Sequence, residues 1–475
     1  MTHHTICALA SPPGGAIAVI RLSGESTFQT LDKVFSKNIA DVPANTLHYG
    51  QIVDPTVKDS ESERRVVDDV IVSIYRAPHS YTGEDSAEIS CHGSRYIAQR
   101  ILQLLIDNGA QQAQPGEFTQ RAFLNGKMDL SQAEAVADLI ASNNAATHRM
   151  AISQLRGGFS HELNELREQL LHMTSLLELE LDFSDQDVEF ANRTTLLNLA
   201  TAISQHIKQL TDSFRTGNAL KNGVPVAIIG APNVGKSTLL NTLLHDDRAI
   251  VSEIQGTTRD LIEDTIQIQG ITFRFIDTAG IRRTKDHIEK MGIERSMQAA
   301  ERAQIVILLS EPNVPFPDLR LTQKKPILHV INKCDQTLPS SSFLFHRDTP
   351  SQYIHISALT GDGIQLLENA LVREAAIPEI AGNETIVTNM RHYEALMHAQ
   401  TNLQRVLQGL GSKENHPNTT LPADLIAEDL RLVLNDLAEI TGGKITSQET
   451  LNQIFSNFCV GKQPLINNSE QLGVI

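Results

Sequence analysis

The chain has no general excess of basic residues: 40 Lys+Arg stand against 56 Asp+Glu, a formal charge of -16. That balance excludes a protein that coats nucleic acid through an overall basic surface and leaves only a local basic patch for such a partner. The four cysteines, Cys7, Cys91, Cys334 and Cys459, lie far apart and form no C-x-x-C pair. Neither a zinc site nor a disulfide framework follows, and reduced cytosol suits such thiols best. No apolar run reaches the roughly 18 residues that a membrane helix needs. The start MTHHTICALASPPGG lacks a charged opening and a long apolar core. A soluble, cytoplasmic chain with no membrane partner is expected. Internal repeats and low-complexity tracts are lacking too. At 475 residues the chain exceeds what one core supports, so two or three domains are expected.

What is present is organised around Val224 to Leu240, VPVAIIGAPNVGKSTLL. A short apolar run leads into a glycine-bounded loop and then a helix start, and Gly230, Gly235, Lys236 and Ser237 fit the phosphate-loop pattern G-x-x-x-x-G-K-[ST]. Glycines let backbone N–H groups close on a polyphosphate, and the helix N-terminus adds its positive dipole end. Lys236 would reach the outer phosphates and Ser237 would hold a magnesium ion carried by the nucleotide. The bland alternative, a glycine-rich turn between an ordinary strand and helix, weakens as further motifs follow in order.

Along the chain, residues 1–120 are mostly strand-like, with apolar runs at Ala16 to Leu22 and Val70 to Tyr75 and a shorter candidate at Ala87 to Cys91. One helix is marked by Tyr96, Ile97, Ile101, Leu104 and Leu105. The polar stretch Asp54 to Arg65 reads as a surface loop or hairpin tip. Residues 121–222 turn to long helices, opened by a capping box at Ser131 to Glu134. Leu163, Leu166, Leu170, Met173, Leu177 and Leu181 form one apolar stripe, and Leu196, Leu199, Ile203, Ile207 and Leu210 another. Residues 223–378 alternate strands and helices, implying a parallel sheet covered on both faces. Residues 379–475 return to helices. The expected fold is multidomain α/β and α: an N-terminal α+β domain, a discontinuous helical domain, and a P-loop Ras-like G domain inserted into it.

Behind the phosphate loop, Gly256 to Asp260 (GTTRD) supplies Thr257 and Thr258, and Asp277, Thr278, Ala279 and Gly280 end a strand. A threonine and an aspartate in this order complete a magnesium shell and form a nucleotide switch. Asn332, Lys333, Cys334 and Asp335 follow the strand ILHVI. A carboxylate accepts paired hydrogen bonds from guanine N1 and N2 and would face an acceptor on adenine, so Asp335 selects GTP over ATP. Ser357 and Ala358, followed by Leu359, supply the backbone contact to the guanine oxygen. Together these loops resemble the translation-factor class of small G domains, with Val234 and Thr238 completing the nucleotide contacts. Ile281 stands where Ras-like GTPases place a water-orienting glutamine, so hydrolysis must use another device. Asn233 is one candidate, its amide oxygen binding a monovalent cation beside the phosphates; a turn-stabilising role is the alternative.

The stretches ICALASPPGG and IAVIRLSGES, the block PGEFTQRAFLNGKMDLSQAEAVADLI, the inserted G domain (of the TrmE-Era-EngA-YihA-Septin kind) and FCVGK resemble the MnmE (TrmE) family of tRNA modification GTPases from about residue 5 to 462. The resemblance implies an N-terminal dimerisation domain that binds formyl-tetrahydrofolate, a homodimer, and potassium-dependent activation of GTP hydrolysis. It also implies an FAD- and NADH-dependent partner, MnmG (GidA), in a heterotetramer that adds a carboxymethylaminomethyl-type group to carbon 5 of the tRNA wobble uridine. Carried over by motif, folate contacts fall to Arg21, Glu88, Lys127 and Lys462, each of which read alone is an exposed charge. Potassium falls to Asn233, Ser252, Ile254 and Thr257, and magnesium to Ser237 and Thr258. Glu289 positions water and joins Lys236 as catalytic, although locally Glu289 reads equally as a surface helix residue. Cys459 matches the family's C-terminal cysteine, with a small buried apolar residue as the alternative. Two departures stand out: Pro12 to Ala16 is one residue short of the family's loop, and the chain continues past Lys462. The rival reading is a non-modifying switch, such as a ribosome-assembly GTPase, that binds no folate.

Overall fold

A computed structural model of the protein describes residues 4–12, 14–58, 64–182, 193–245, 264–276, 297–317, 325–336, 353–375, 385–411, 423–443, 451, 454 and 455. The chain divides into two compact units, one made of 1–141, 151–174 and 431–475, the other of 142–150 and 175–430.

In the first unit, β1 (Ile6–Leu9), β2 (Ile17–Ser23), β3 (Thr46–Lys58), β4 (Arg64–Tyr75), β5 (Ser86–His92) and β6 (Gln111–Gln112) form one sheet in the order β3-β4-β5-β2-β1-β6. All pairs are antiparallel except β1 with β6. Alternation does the sorting. On β2 and β5, Ala18, Ile20, Leu22, Ala87, Ile89 and Cys91 face the core, which turns Arg21 and Glu88 to the opposite face as direct cross-strand partners. Helices α1 (Thr27–Asp32), α2 (Arg95–Asp107) and α3 (Glu117–Leu124) complete the α+β module. On α2, Ala98, Ile101, Leu104 and Leu105 are buried and Ile97 packs against the same core, while Tyr96 is exposed, so the apolar stripe read from sequence starts one residue too early.

Of the two expected forms the polar stretch Asp54 to Arg65 takes the hairpin: β3 continues to Lys58 and pairs antiparallel with β4 from Arg64, while Asp54 itself is buried. Its carboxylate accepts from the backbone and hydroxyl of Thr56 and from Arg100, which satisfies a charge that could not otherwise enter the core. The capping box is displaced as well. Helix α4 (Leu130–Ala141) is capped by Asp129, whose Oδ1 accepts from the Gln132 N–H at 2.9 Å while Gln132 Oε1 accepts from the Asp129 N–H at 2.9 Å. Aspartate and glutamine thus play the reciprocal parts assigned to Ser131 and Glu134. Ser131 is buried inside the helix and bonds Ser160.

Helices α5 (Ala145–Leu155), α6 (Gly158–Asp182) and α7 (Arg193–Asn222) follow. Leu163, Leu166, Leu170, Met173 and Leu177 of α6 are buried, as are Leu196, Ile203, Ile207 and Leu210 of α7, where Ala200 rather than Leu199 fills the intervening core position. The second unit holds a second sheet: β7 (Val224–Gly230), β8 (Asp264–Ile268), β9 (Ile271–Phe275), β10 (Ile305–Ser310), β11 (Ile327–Ile331) and β12 (Ile354–His355), with α8 (Lys236–His245) and α9 (Ile364–Ala375). The order is β12-β11-β10-β7-β9-β8, parallel except for β8, which runs antiparallel at the edge. The expectation of a parallel sheet therefore needs one amendment, since the short strand DTIQI went unread. Val226 and Ile228 of β7 join the core on one face, Ala227 and Ile229 that on the other. Burial on both sides explains the uninterrupted apolar run.

After the sheet come α10 (Met390–Gly411) and α11 (Ala423–Thr441). The helices flanking the inserted sheet meet: Arg193 of α7 donates to the Gly409 carbonyl of α10 at 3.1 Å, Gln400 donates to Ser204 Oγ at 2.9 Å, and Phe214 stacks on Tyr393 with centroids 4.4 Å apart. Close approach depends on Gly217, where a Cβ would stand 2.1 Å from the Val387 carbonyl oxygen.

Candidate nucleotide-binding site

The strand order reverses around β7, and in such sheets ligands bind beyond the carboxyl ends of the strands at that switch point. Four loops gather there, following β7, β10, β11 and β12. The first turns from Gly230 into α8 through two residues in left-handed conformations, Asn233 (φ 65°) and Gly235 (φ 93°). Only glycine fits at 235, because a Cβ would lie 2.3 Å from Asn332 Nδ2. Lys236 Nζ arches back over the loop and donates to the carbonyls of Gly230 and Ala231, each at 2.8 Å. Burial pulls its pKa below the ordinary lysine value, a penalty that an anion in the cradle would offset. Ser237 follows at the helix start, half-buried, and Thr238 is exposed. Asn233 is exposed, and among the described residues nothing holds its amide, which leaves the oxygen available to a cation.

Asn332, buried, is the joint between this loop and the segment of Ala358, expected from sequence to read the base. Its Nδ2 donates to the Val234 carbonyl at 2.9 Å and its Oδ1 accepts from the Ala358 N–H at 2.9 Å. Asp335 lies on the short turn Cys334–Gln336, exposed, with Oδ1 accepting from Ser357 Oγ at 2.7 Å. That bond leaves Oδ2 to face a ligand. Lys333, at φ 62°, pairs with Glu311 at the end of β10. The thiol of Cys334 is buried and pushed up in pKa by burial first and by Asp335 second, so it is a packing residue and not a nucleophile. The loop carrying Ala358 is closed by Ser357 N to the Asp362 carbonyl and Gly361 N to the Ser357 carbonyl, both 2.9 Å. Thr242 of α8 donates to the Ala358 carbonyl at 2.6 Å. The Ala358 N–H, expected from sequence to meet a guanine oxygen, is engaged here by Asn332 Oδ1. Ser252, Ile254, Thr257, Thr258, Asp277, Thr278, Ala279, Gly280, Ile281 and Glu289 lie outside the described residues.

In the first unit, Arg21 and Glu88 form a cross-strand ion pair, Arg21 Nε donating to Glu88 Oε1 at 2.8 Å. The Arg21 guanidinium lies 5.3 Å from the Tyr81 ring and 5.7 Å from that of Phe118. Lys127 Nζ donates to the Pro78 carbonyl at 2.9 Å. Tyr81 and Pro78 belong to one loop, between β4 and β5, so this loop contacts both Arg21, with its partner Glu88, and Lys127. It is braced by Arg121, which pairs with Glu84 at 3.2 Å and Glu117 at 2.8 Å. Sequence reasoning missed Tyr81, Phe118 and Arg121; Phe118 and Arg121 sit inside the block that begins PGEFTQRAF and Tyr81 outside every motif block, and only a fold could show that they converge. Cys459 and Lys462 lie outside the described residues. Among the described residues no helix is long and apolar enough to cross a membrane.

Comparison with known proteins adds two family models: a GTP-binding protein TrmE N-terminus matching residues 5–127 and an MnmE helical domain matching 130–459. The tRNA modification GTPase MnmE of Parabacteroides distasonis is 53% identical, over 96% of this chain and 100% of that protein. That of Phocaeicola vulgatus is 49% identical over 96% of this chain and 99% of the relative. Among solved structures, Era in complex with MgGDPNP and nucleotides of 16S ribosomal RNA is 28% identical over 38% of this chain and 66% of that chain, with a TM-score of 0.25.

Proposed function

The chain belongs to the MnmE family of tRNA modification GTPases, and on that premise we propose that it hydrolyses GTP to drive modification of carbon 5 of the tRNA wobble uridine. The observation that carries the GTP reading is Asn332, which ties the phosphate loop at Val234 to the base-reading segment at Ala358, with Asp335 held alongside by Ser357. A phosphate cradle and a carboxylate matched to guanine are thereby fixed at one distance from each other, as recognition of a whole nucleotide requires.

Lys236 would bind the outer phosphates, and Ser237 with Thr258 would hold a magnesium ion, which would supply positive charge to the phosphates. A glutamine being absent after Gly280, Asn233 with Ser252, Ile254 and Thr257 is assigned a potassium ion, and Glu289 the attacking water. The exposed, uncommitted Asn233 amide supports this assignment. In the first unit, Arg21 and Lys127 offer cations to a carboxylate and Glu88 an acceptor to an N–H donor, with Tyr81 and Phe118 as flat apolar walls. Such a set suits a folate, formyl-tetrahydrofolate in the proposal, completed by Lys462, while Cys459 contributes at the modification site. The working form is a cytoplasmic homodimer acting with an FAD-dependent partner, MnmG.

Steady-state hydrolysis tests the reading. The full-length chain is expected to turn over GTP and not ATP, and to do so at least about tenfold faster when sodium is replaced by potassium at constant ionic strength, the scale of one transition-state charge contact. Equal rates in the two salts would remove the cation from Asn233, and hydrolysis of ATP at the same rate would remove Asp335 from base selection.

A further inference from the structure

The helix that binds phosphate and the loop that reads the base are joined by a side chain that neither motif contains. Thr242 lies on α8, half-buried, six residues after Lys236. A threonine inside a helix ordinarily returns its hydroxyl proton to the carbonyl four residues back. Here Oγ1 is 2.9 Å from the Thr238 carbonyl but 2.6 Å from that of Ala358, 116 positions later in the chain. A hydroxyl has one proton, and the shorter contact takes the larger share of it.

The consequence falls on the Ala358 residue itself. Its N–H is engaged by Asn332 Oδ1 and its carbonyl by Thr242, so the backbone on both sides of its Cα is held. The next side chain, Leu359, is 79% exposed and provides no apolar anchor. Without the hydroxyl, the Ala358 carbonyl would keep no tie to α8, and the residue would gain freedom to turn about its own backbone dihedrals. The N–H would then be held by Asn332 Oδ1 alone, and the geometry in which it can be shared with a 6-oxo group of guanine would lose one of its two fixed points.

We propose that Thr242 is a positioning residue for base recognition, holding the Ala358 backbone in place so that its N–H, which lies on Asn332 Oδ1, can be shared with the guanine 6-oxo group as a three-centre bond. This rests on the GTP reading above, and it adds a coupling: a shift of α8 when phosphate binds is felt directly at the base-reading loop.

The test compares GDP with 2-aminopurine riboside 5′-diphosphate, which keeps the 2-amino group but lacks the 6-oxo group and with it the N1 proton; the missing N1–H weakens its contact to Asp335 equally in wild type and variants, so the change on substitution isolates the 6-oxo contact. Affinities are measured by fluorescence competition on the full-length chain. Thr242→Val keeps the side-chain shape and removes the donor. It is expected to weaken GDP by about threefold to tenfold, the worth of one hydrogen bond, with the 2-aminopurine nucleotide unchanged, so the preference between them shrinks. Thr242→Ser, which restores the hydroxyl, is expected to recover the preference. Equal weakening of both nucleotides, an unchanged preference, or a loss that Ser does not recover would each overturn the proposal. If the wild-type chain fails to prefer GDP over ADP, the guanine reading falls first and this inference with it.

Discussion

Asp335 and Asp54 show how the same carboxylate is left open to a ligand or becomes a brace according to its partners. Asp335 accepts one bond, from Ser357, and is otherwise open. Asp54 is buried and accepts from the Thr56 hydroxyl, the Thr56 backbone and Arg100. Burial alone would raise its pKa, but these hydrogen bonds and the adjacent guanidinium outweigh that and hold it at about 2. A folded-state pKa below the ordinary aspartate value of about 3.9 means that Asp54 stabilises the fold fully above that value and loses its contribution as pH falls towards about 2. Asp54→Asn is therefore expected to cost about 1–3 kcal/mol at neutral pH, read as a lower urea midpoint. The gap from wild type should close between about pH 4 and pH 2. A gap that stays constant on acidification would show that packing, and not the charge, carries the effect. Asp54 was illegible in the sequence because nothing local announces that Arg100 will arrive from α2.

At the scale of elements, legibility followed burial. β7 reads clearly because both of its faces are packed, and β10 for the same reason. β8 was missed because it is a five-residue edge strand with one buried face, its apolar residues confined to Ile266 and Ile268. The site loops were legible because phosphate and guanine chemistry constrain residue type at fixed spacing. Ties such as Thr242 to Ala358 were not, since a single hydroxyl on a helix has no distinguishing pattern. The meeting of α7 with the segment before α10 was likewise invisible, and it yields a prediction whose sign is opposite to the usual one. In an exposed helix, replacing glycine by alanine gains about 1 kcal/mol. At Gly217 the added Cβ would stand 2.1 Å from the Val387 oxygen and 2.8 Å from Ile386 Cγ2. Overpacking of this kind costs about 1–3 kcal/mol, and with backbone on both sides there is no flexible end to move aside, so the clash wins. Gly217→Ala should lower the thermal midpoint of the full-length chain; a rise would mean that residues 385–389 yield without cost.

For the whole molecule, the formal charge of -16 constrains how a polyanion such as tRNA is engaged. A protein that relies on phosphate neutralisation releases about one counterion per contact, and its affinity falls with a log–log salt slope of about -0.7 to -0.9 per phosphate. A chain with sixteen more acidic than basic residues repels the general backbone and must recognise tRNA through a confined patch and through base or shape contacts. Few phosphates are then neutralised. The binding of labelled tRNA is expected to weaken with a slope no steeper than about -3, corresponding to three or four contacts, and to resist competition by excess double-stranded DNA. The titration must vary salt by adding sodium chloride over a fixed potassium background, so that occupancy of the proposed potassium site does not change with ionic strength. A slope near -6 or steeper, together with ready displacement by DNA, would locate an extended basic surface on the folded chain that its composition conceals, and would shift tRNA recognition from shape and bases to the backbone.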